Sequence, residues 1–327
     1  MELRGLDLFC GAGGSSAGAR QAGIKIACGV DMSSLATVTF KANFPTAQVI
    51  TSRLEDIKPT ILRAEIGEID ILLASPECTN HTCAKGAAPR NEASRATAMQ
   101  IVRFARAFMP RWLVLENVVH MRPWSRYAEL KEKLVNLGYN LAEQVLDSSH
   151  FGVPQTRRRL FLVGDRMASP NLIEESSSKR YKTVLSILDP PNTWPTSPLF
   201  TARRAKGTLE RAQRAFAALG AKASFLLVYY GTDGSGGWQP LDRPLRTITT
   251  IDRFALVIPS AKGPLMRMLQ VSELKRAMGF SSTFKLDDGT RRDKIKLLGN
   301  GVCPPVMREV INSLTKFSGR CTRYRVG

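Results

Sequence analysis

Short apolar runs alternate with helical segments, and each run ends at a residue able to do chemistry; this constrains the chain more than any other feature. Residues 3–9 read as a strand that breaks into Cys10-Gly11-Ala12-Gly13-Gly14, a tight turn opening a helix at Ser15-Ser16. A second run, 24–30, ends at Asp31, and a third around 48–50 is followed by Asp56-Ile57. Residues 70–78 pass through Pro76 to Cys78, and residues 111–118 close on Glu116-Asn117-Val118. Runs of this length, separated by helical stretches, describe βα units and hence a mostly parallel sheet. In open α/β sheets the ligand crevice lies beyond the carboxyl ends of the strands, so Cys78 and Glu116 are expected to face it together.

Small residues in the first turn let a ligand approach the backbone amides of a helix N-terminus, and an acid ending the second strand suits a ribose hydroxyl. Asp31 lies 20 residues after Gly11, although the spacing is not the Gly-x-Gly-x-x-Gly of dinucleotide enzymes. The pattern predicts a site for a nucleoside-bearing cofactor, with Asp56-Ile57 suited to an adenine amine and ring face.

The six cysteines, at 10, 28, 78, 83, 303 and 321, show no disulfide-like spacing, which fits a reducing cytoplasm. Cys78, His81 and Cys83 are close, but no Cys-x-x-Cys pair completes a zinc site, so no metal is expected. No run approaches the length of a membrane span and no leader-like segment opens the chain, which predicts a soluble protein without a membrane partner. The net charge of +19 points to a polyanionic partner, most simply nucleic acid.

The texture changes near Arg166. Prolines 170, 190, 191, 195 and 198 predict loops and an excursion from the sheet. Residues 203–222 form a basic, alanine-rich helical pattern, and residues 225–230 read as a strand leading into a glycine-rich loop, 231–238. Trp238, at the base of that loop, either stacks on a ligand or anchors the loop. The expected organisation is a catalytic and cofactor-binding part over 1–167, an inserted domain over 168–262, and a return to the first part over 263–327 with a C-terminal helix.

The chain resembles the DNA cytosine-5 methyltransferases. Asp7 through Gly14 looks like that family's cofactor signature, Cys78 falls at its nucleophile, and Glu116-Asn117-Val118 matches its acid motif. Gln155-Thr156-Arg157-Arg158-Arg159 matches its Gln-x-Arg-x-Arg motif. Glu273 through Phe280 and Leu298-Gly299-Asn300-Gly301-Val302 resemble its closing motifs, in the family's order. Two departures stand out. Glu77 and Thr79 flank Cys78 where the family has proline and glutamine, and Ala74 replaces a glycine. If Glu77 points inward, like-charge repulsion would raise the thiol's pKa. Gly301 and Cys303 also replace more frequent residues in the last motif, with little consequence expected.

The resemblance implies a Rossmann-like α/β sheet with a small inserted target-recognition domain, using S-adenosyl-L-methionine on duplex DNA. It implies cofactor contacts from Phe9, Gly11, Ala12, Gly14, Asp31, Met32, Asp56, Ile57, Asn300 and Val302. It further implies that Cys78 adds to carbon 6 of a flipped cytosine, that Glu116 protonates ring nitrogen 3, and that Arg159, and after it Arg157, hold the base's carbonyl oxygen and neighbouring phosphate or catalytic-loop groups. Residues 79–98 would form a mobile loop closing over DNA. A monomer acting beside a cognate restriction endonuclease is the expected setting. A tRNA-directed enzyme of the same fold and a non-catalytic DNA-binding regulator are the alternatives.

Overall fold

Side chains that alternate along central strands must be buried on both faces of the sheet, and here they divide between two cores. The computed structural model describes residues 2–77, 92, 96–173, 181–229 and 236–315. Its first sheet contains β1 (Arg4–Leu8), β2 (Lys25–Asp31), β3 (Gln48–Thr51), β4 (Ile71–Ala74), β5 (Trp112–Asn117), β6 (Asn140–Asp147) and β7 (Arg158–Asp165). The spatial order is β3-β2-β1-β4-β5-β7-β6. The first five pair in parallel, while β7 runs antiparallel to β5 and β6 antiparallel to β7.

One face carries Leu6, Leu8, Leu72, Leu113, Leu115 and Leu160, covered by α3 (Pro59–Ile66), α4 (Gln100–Phe108) and α5 (Tyr127–Val135). Tyr127, Leu130 and Leu134 recur at helical spacing and are buried there. The other face carries Ile71, Leu73, Trp112, Val114, Phe161 and Val163. It is covered by α1 (Gly14–Gln21), α7 (Val271–Ala277), α8 (Arg291–Asn300) and α9 (Pro304–Thr315), while Phe40 of α2 (Ser34–Asn43) joins the same core. Helix α1 starts in small residues for a packing reason. A Cβ on Gly18 would stand 2.5 Å from the Pro304 carbonyl oxygen, so α9 lies directly against it.

The second sheet has the order β10-β9-β11-β12-β8, from β8 (Ser197–Pro198), β9 (Phe225–Val228), β10 (Trp238–Pro240), β11 (Phe254–Ile258) and β12 (Leu265–Met268). Helix α6 (Lys206–Leu219), the basic pattern of the sequence, covers one of its faces. Phe225 and Leu227 meet Ala212 and Ala215 of α6, whereas Leu226 and Val228 reach the main core. The second sheet is thus fused to the first by its inner face. The return to the first part expected at residue 263 falls inside this sheet, because Gly263 turns the chain from β11 into β12.

Asp7 sits mid-sheet on β1 and is fully buried. Its Oδ2 accepts the Ser16 hydroxyl at 2.6 Å, while Oδ1 has no partner among the described residues. Burial pushes its pKa from 3.8 to about 7, with Ser16 opposing. The neutral acid is therefore favoured in the folded state, and this contribution is lost as pH rises from about 4 through 7. Asp7→Asn keeps the shape without the charge. Its stability relative to the native chain should rise by about 4 kcal/mol over that interval, at roughly 1.4 kcal/mol per pKa unit. Urea unfolding at a series of pH values measures this, and a pH-independent difference would refute it.

Candidate active site

The sheet order reverses between β1 and β4, and a crevice is expected beyond their carboxyl ends. Past β1 the chain turns through Phe9, Gly11 and Gly13, with φ of 57°, 52° and 99°. A positive φ is uncommon for an aromatic residue, so this turn is held by its surroundings. A Cβ on Gly14 would stand 2.3 Å from the Val302 carbonyl oxygen, which puts the turn in backbone contact with the segment after α8. Beside Gly11 no atom of the described residues lies within 4 Å of a Cβ position.

Asp31, ending β2, receives the Gly11 N–H on Oδ2 and the Ser33 N–H on Oδ1, both at 2.9 Å. Burial pushes its pKa up, while backbone hydrogen bonds from Ser33, Gly11 and Met32 oppose the shift. Phe9 and Ile57 are half-buried against the same core, and Met32 is 69% exposed. Ala12 and Val302 are buried, whereas Asp56 and Asn300 are exposed. The structure thus brings Phe9, Gly11, Ala12, Gly14, Asp31 and Val302 around one turn.

Glu116, near the end of β5, is 5% exposed and pairs with Arg159 at 3.2 Å between Oε1 and Nε. Burial pushes its pKa up against the Arg159 and Arg157 guanidinium groups. A carboxyl that is hard to ionise, yet fixed by a cation, can hold and donate a proton. Glu116, Arg157, Arg159 and Phe161 line a small pocket together with Ser148 and Cys303. Burial holds the Cys303 thiol neutral, its pKa pushed up to about 11.

Cys78 lies outside the described residues, as do His81, Cys83 and most of the expected loop 79–98. The segment leading to Cys78 is nonetheless tied into the site. Asn117 Nδ2 donates to the Pro76 carbonyl at 3.1 Å, and the Ser15 and Ser75 hydroxyls lie 3.3 Å apart. Glu77 is exposed. Asn117 was legible only as a member of its motif. The place of Ser148 in the pocket has no sequence signal, and Cys303 was visible only as a departure from the family pattern.

Arg157 and Arg159, from the same motif, have different partners. Arg157 donates through Nη1 to the Ile248 carbonyl at 3.0 Å, and through Nη2 to those of Gly299 and Gly301 at 2.8 and 2.9 Å. Gln155 reinforces this, accepting the Ile248 N–H and donating to the Ala277 carbonyl. Arg157 thus fastens the segment before β11 and the end of α8 to its own, while Arg159 forms a salt bridge with Glu116. Trp238 is half-buried against the small core under α6, the anchoring alternative. It also lines a wide groove with His150, Thr156, Tyr181, Arg243 and Arg246.

A model of the C-5 cytosine-specific DNA methylase family matches residues 3–316. The chain is similar to the Type II methyltransferase M.AgeI of Thalassovita gelatinovora, 32% identical over 169 residues, covering 50% of this chain and 39% of that one. It is also similar to M.DdeI of Desulfomicrobium norvegicum, 29% identical over 171 residues, covering 50% and 41%. The matches thus span about two-fifths of these relatives. The crystal structure of the S. pombe Dnmt2 methyltransferase has the same fold, with a TM-score of 0.71 at 17% identity over 97% of this chain and 99% of that one. Among the described residues no helix is long and apolar enough to cross a membrane.

Replacing the Arg157 fork by lysine keeps a charge but can satisfy fewer carbonyls. Hydrogen bonds to charged groups contribute about 1.5–3 kcal/mol each. Arg157→Lys should therefore lower unfolding stability by about 2–4 kcal/mol, given two bonds lost and incomplete additivity. Denaturant titration checks this, and an unchanged midpoint would show that the carbonyl fork does not secure these segments.

Proposed function

We propose that this chain, which belongs to the C-5 cytosine-specific DNA methylase family, transfers a methyl group from S-adenosyl-L-methionine to carbon 5 of cytosine in a specific duplex DNA sequence. The observation that carries the reading is the buried Glu116, paired with Arg159 and joined through Asn117 to the segment leading to Cys78.

Carbon 5 of cytosine is a weak nucleophile, and the pocket's residue types answer that problem. The Cys78 thiolate would add to carbon 6, pushing electron density toward carbon 5 and ring nitrogen 3. Glu116 would place a proton on that nitrogen, a role suited to a carboxyl whose burial favours its protonated form. Arg159 orients the Glu116 carboxyl and faces the same pocket, where it would hold the base's carbonyl oxygen. Arg157 is a positioning residue, fastening the segments around the pocket. After methylation, loss of the carbon 5 proton and departure of the thiolate restore the aromatic ring.

The turn has features of a site for S-adenosyl-L-methionine, which supplies an electrophilic methyl group when bound. The described residues leave room beside Gly11 at the helix N-terminus, and a cationic ligand suits the nearby Asp31 carboxylate. Asp31 would receive ribose hydroxyls, while Phe9, Met32 and Ile57 offer apolar surface to the purine. Asp56 would meet the adenine amine. Ala12, Gly14, Asn300 and Val302 would complete the cradle.

Cytosine inside a stacked duplex is inaccessible, so the nucleotide must be flipped at a cost of a few kcal/mol. The groove lined by Arg243, Arg246 and Thr156 would take the DNA, consistent with a +19 chain. The similarity to Type II methyltransferases supports a role beside a restriction endonuclease.

Bisulfite sequencing of duplex DNA and tRNA offered side by side tests the reaction. Conversion-resistant cytosines at one DNA sequence are expected; modification of tRNA alone would overturn the substrate assignment. Cys78→Ser should abolish transfer while sparing the fold and duplex binding, and 5-fluorocytosine DNA should trap the native enzyme as a denaturation-resistant adduct. Turnover by Cys78→Ser would remove this thiol from the mechanism. Asp31→Ala should weaken S-adenosyl-L-methionine binding by about 1–3 kcal/mol, the scale of a lost hydrogen bond to a charged group. Unchanged affinity in calorimetry would reject the ribose assignment.

A further inference from the structure

Gln239, in the middle of β10, is a polar side chain only 3% exposed, and both ends of its amide are used. Its Nε2 donates to the Pro244 carbonyl at 2.6 Å, while its Oε1 accepts the Arg246 N–H at 3.2 Å. The amide thus closes the turn 241–245 in the way a neighbouring strand would. A buried amide left without partners is costly, so the turn is held in a shape that satisfies this one.

The backbone of the same turn is tied to two other parts of the chain. The Arg243 carbonyl accepts the Val184 N–H at 2.9 Å, and the Leu241 carbonyl accepts the Leu185 N–H at 3.3 Å. Leu245, fully buried, donates its N–H to the Pro154 carbonyl at 2.9 Å and accepts the Thr156 N–H at 2.8 Å. Pro244 adds a local restraint, because the residue before a proline is confined to extended backbone. Arg243 therefore combines a fixed main chain with an exposed side chain, and it lines the groove with Trp238, Arg246 and Thr156. Asp147 and Asp242 line it too, but Asp147 Oδ1 is occupied by the Ser149 and Arg157 N–H groups.

We propose that Arg243 is a DNA-phosphate contact that carries no sequence information, and that Gln239 is its positioning residue. The inference rests on the DNA methylation reading above. A guanidinium on a pinned main chain loses less freedom on meeting a phosphate than one on a loose segment. Phosphate contacts of this kind set the register and orientation of a duplex whatever its sequence. Gln239 acts through the turn: without its amide, the Pro244 carbonyl and the Arg246 N–H lose the group that joins them, and Arg243 loses its fixed direction.

The test measures binding of the full chain to two labelled duplexes over a salt series. One carries a sequence that bisulfite sequencing shows the native enzyme to methylate, and the other differs from it by a single base pair. Arg243→Ala should flatten the slope of log Kd against log salt by about 0.9, the value for one phosphate, on both duplexes alike. Arg243→Lys, which keeps a point charge, should retain most of the native slope. Gln239→Met keeps the volume and the net charge, and should flatten the slope in the same direction. Combined with Arg243→Ala it should flatten the slope no further, because both changes remove the same contact; a merely structural glutamine would not show this non-additivity. A native slope in Arg243→Ala, as for an arginine engaged by Asp242, overturns the phosphate assignment, and so does a loss confined to the first duplex, which marks a base contact. Additive slopes in the double variant overturn the role of Gln239. Should Gln239→Met fail to fold, Gln239→Asn, whose shorter amide cannot span both partners, takes its place. A native chain that methylates tRNA but no DNA overturns the functional reading, whereas methylation of DNA with an unchanged Arg243→Ala slope overturns this inference alone.

Discussion

The buried guanidinium of Arg157 is the constraint on which the arrangement depends. A charge removed from water must be surrounded by acceptors, and here the carbonyls of Ile248, Gly299 and Gly301 supply them. Those acceptors belong to the segment before β11 and to the turn after α8. Satisfying one charge therefore fixes two parts of the chain against the start of β7. Gln155 adds neutral hydrogen bonds to Ile248 and Ala277, extending the fastening to the end of α7. The same turn after α8 presents Val302 to Gly14, so the glycine turn and the acid pocket share a backbone wall.

Burial also sets the electrostatics. Asp7, Asp31 and Glu116 all have raised pKa values because desolvation opposes their charged forms, yet their surroundings differ. Asp31 is held by backbone N–H groups that favour the carboxylate, and Glu116 by arginines that do the same from one side. Asp7 has a serine partner on one oxygen and, among the described residues, none on the other. The three acids lie on β1, β2 and β5 of one sheet, within a chain of net charge +19. The overall excess of positive charge suits attraction of a polyanion, while the proton chemistry belongs to a few buried groups.

The second sheet illustrates how period-two patterning joins two structures. Phe225 and Leu227 face α6 and complete a small core, while their neighbours Leu226 and Val228 enter the main one. The groove between this sheet and the β6–β7 hairpin consequently has walls that cannot shift independently without opening a core. Arg243, Arg246 and Trp238 line it together with Thr156, whose N–H donates to the Leu245 carbonyl at 2.8 Å.

Local patterns in the sequence determined the first five strands and β9, the glycine turn and the acids at strand ends, because strand periodicity and turn chemistry act over a few residues. They also determined the order of the motifs from which the family could be recognised. The division of labour between Arg157 and Arg159 was decided only by tertiary structure. Both side chains line the same pocket from the same motif, so nothing local distinguishes them. Arg157 finds carbonyls 91 and 142 residues away in sequence, while Arg159 finds Glu116 on the neighbouring strand. The positions of Ser148 and Cys303 were likewise set by packing, and so was the anchoring of Trp238. A short polar or aromatic residue carries no local signal of which distant surface it will meet; that is fixed when the two sheets close on a shared core.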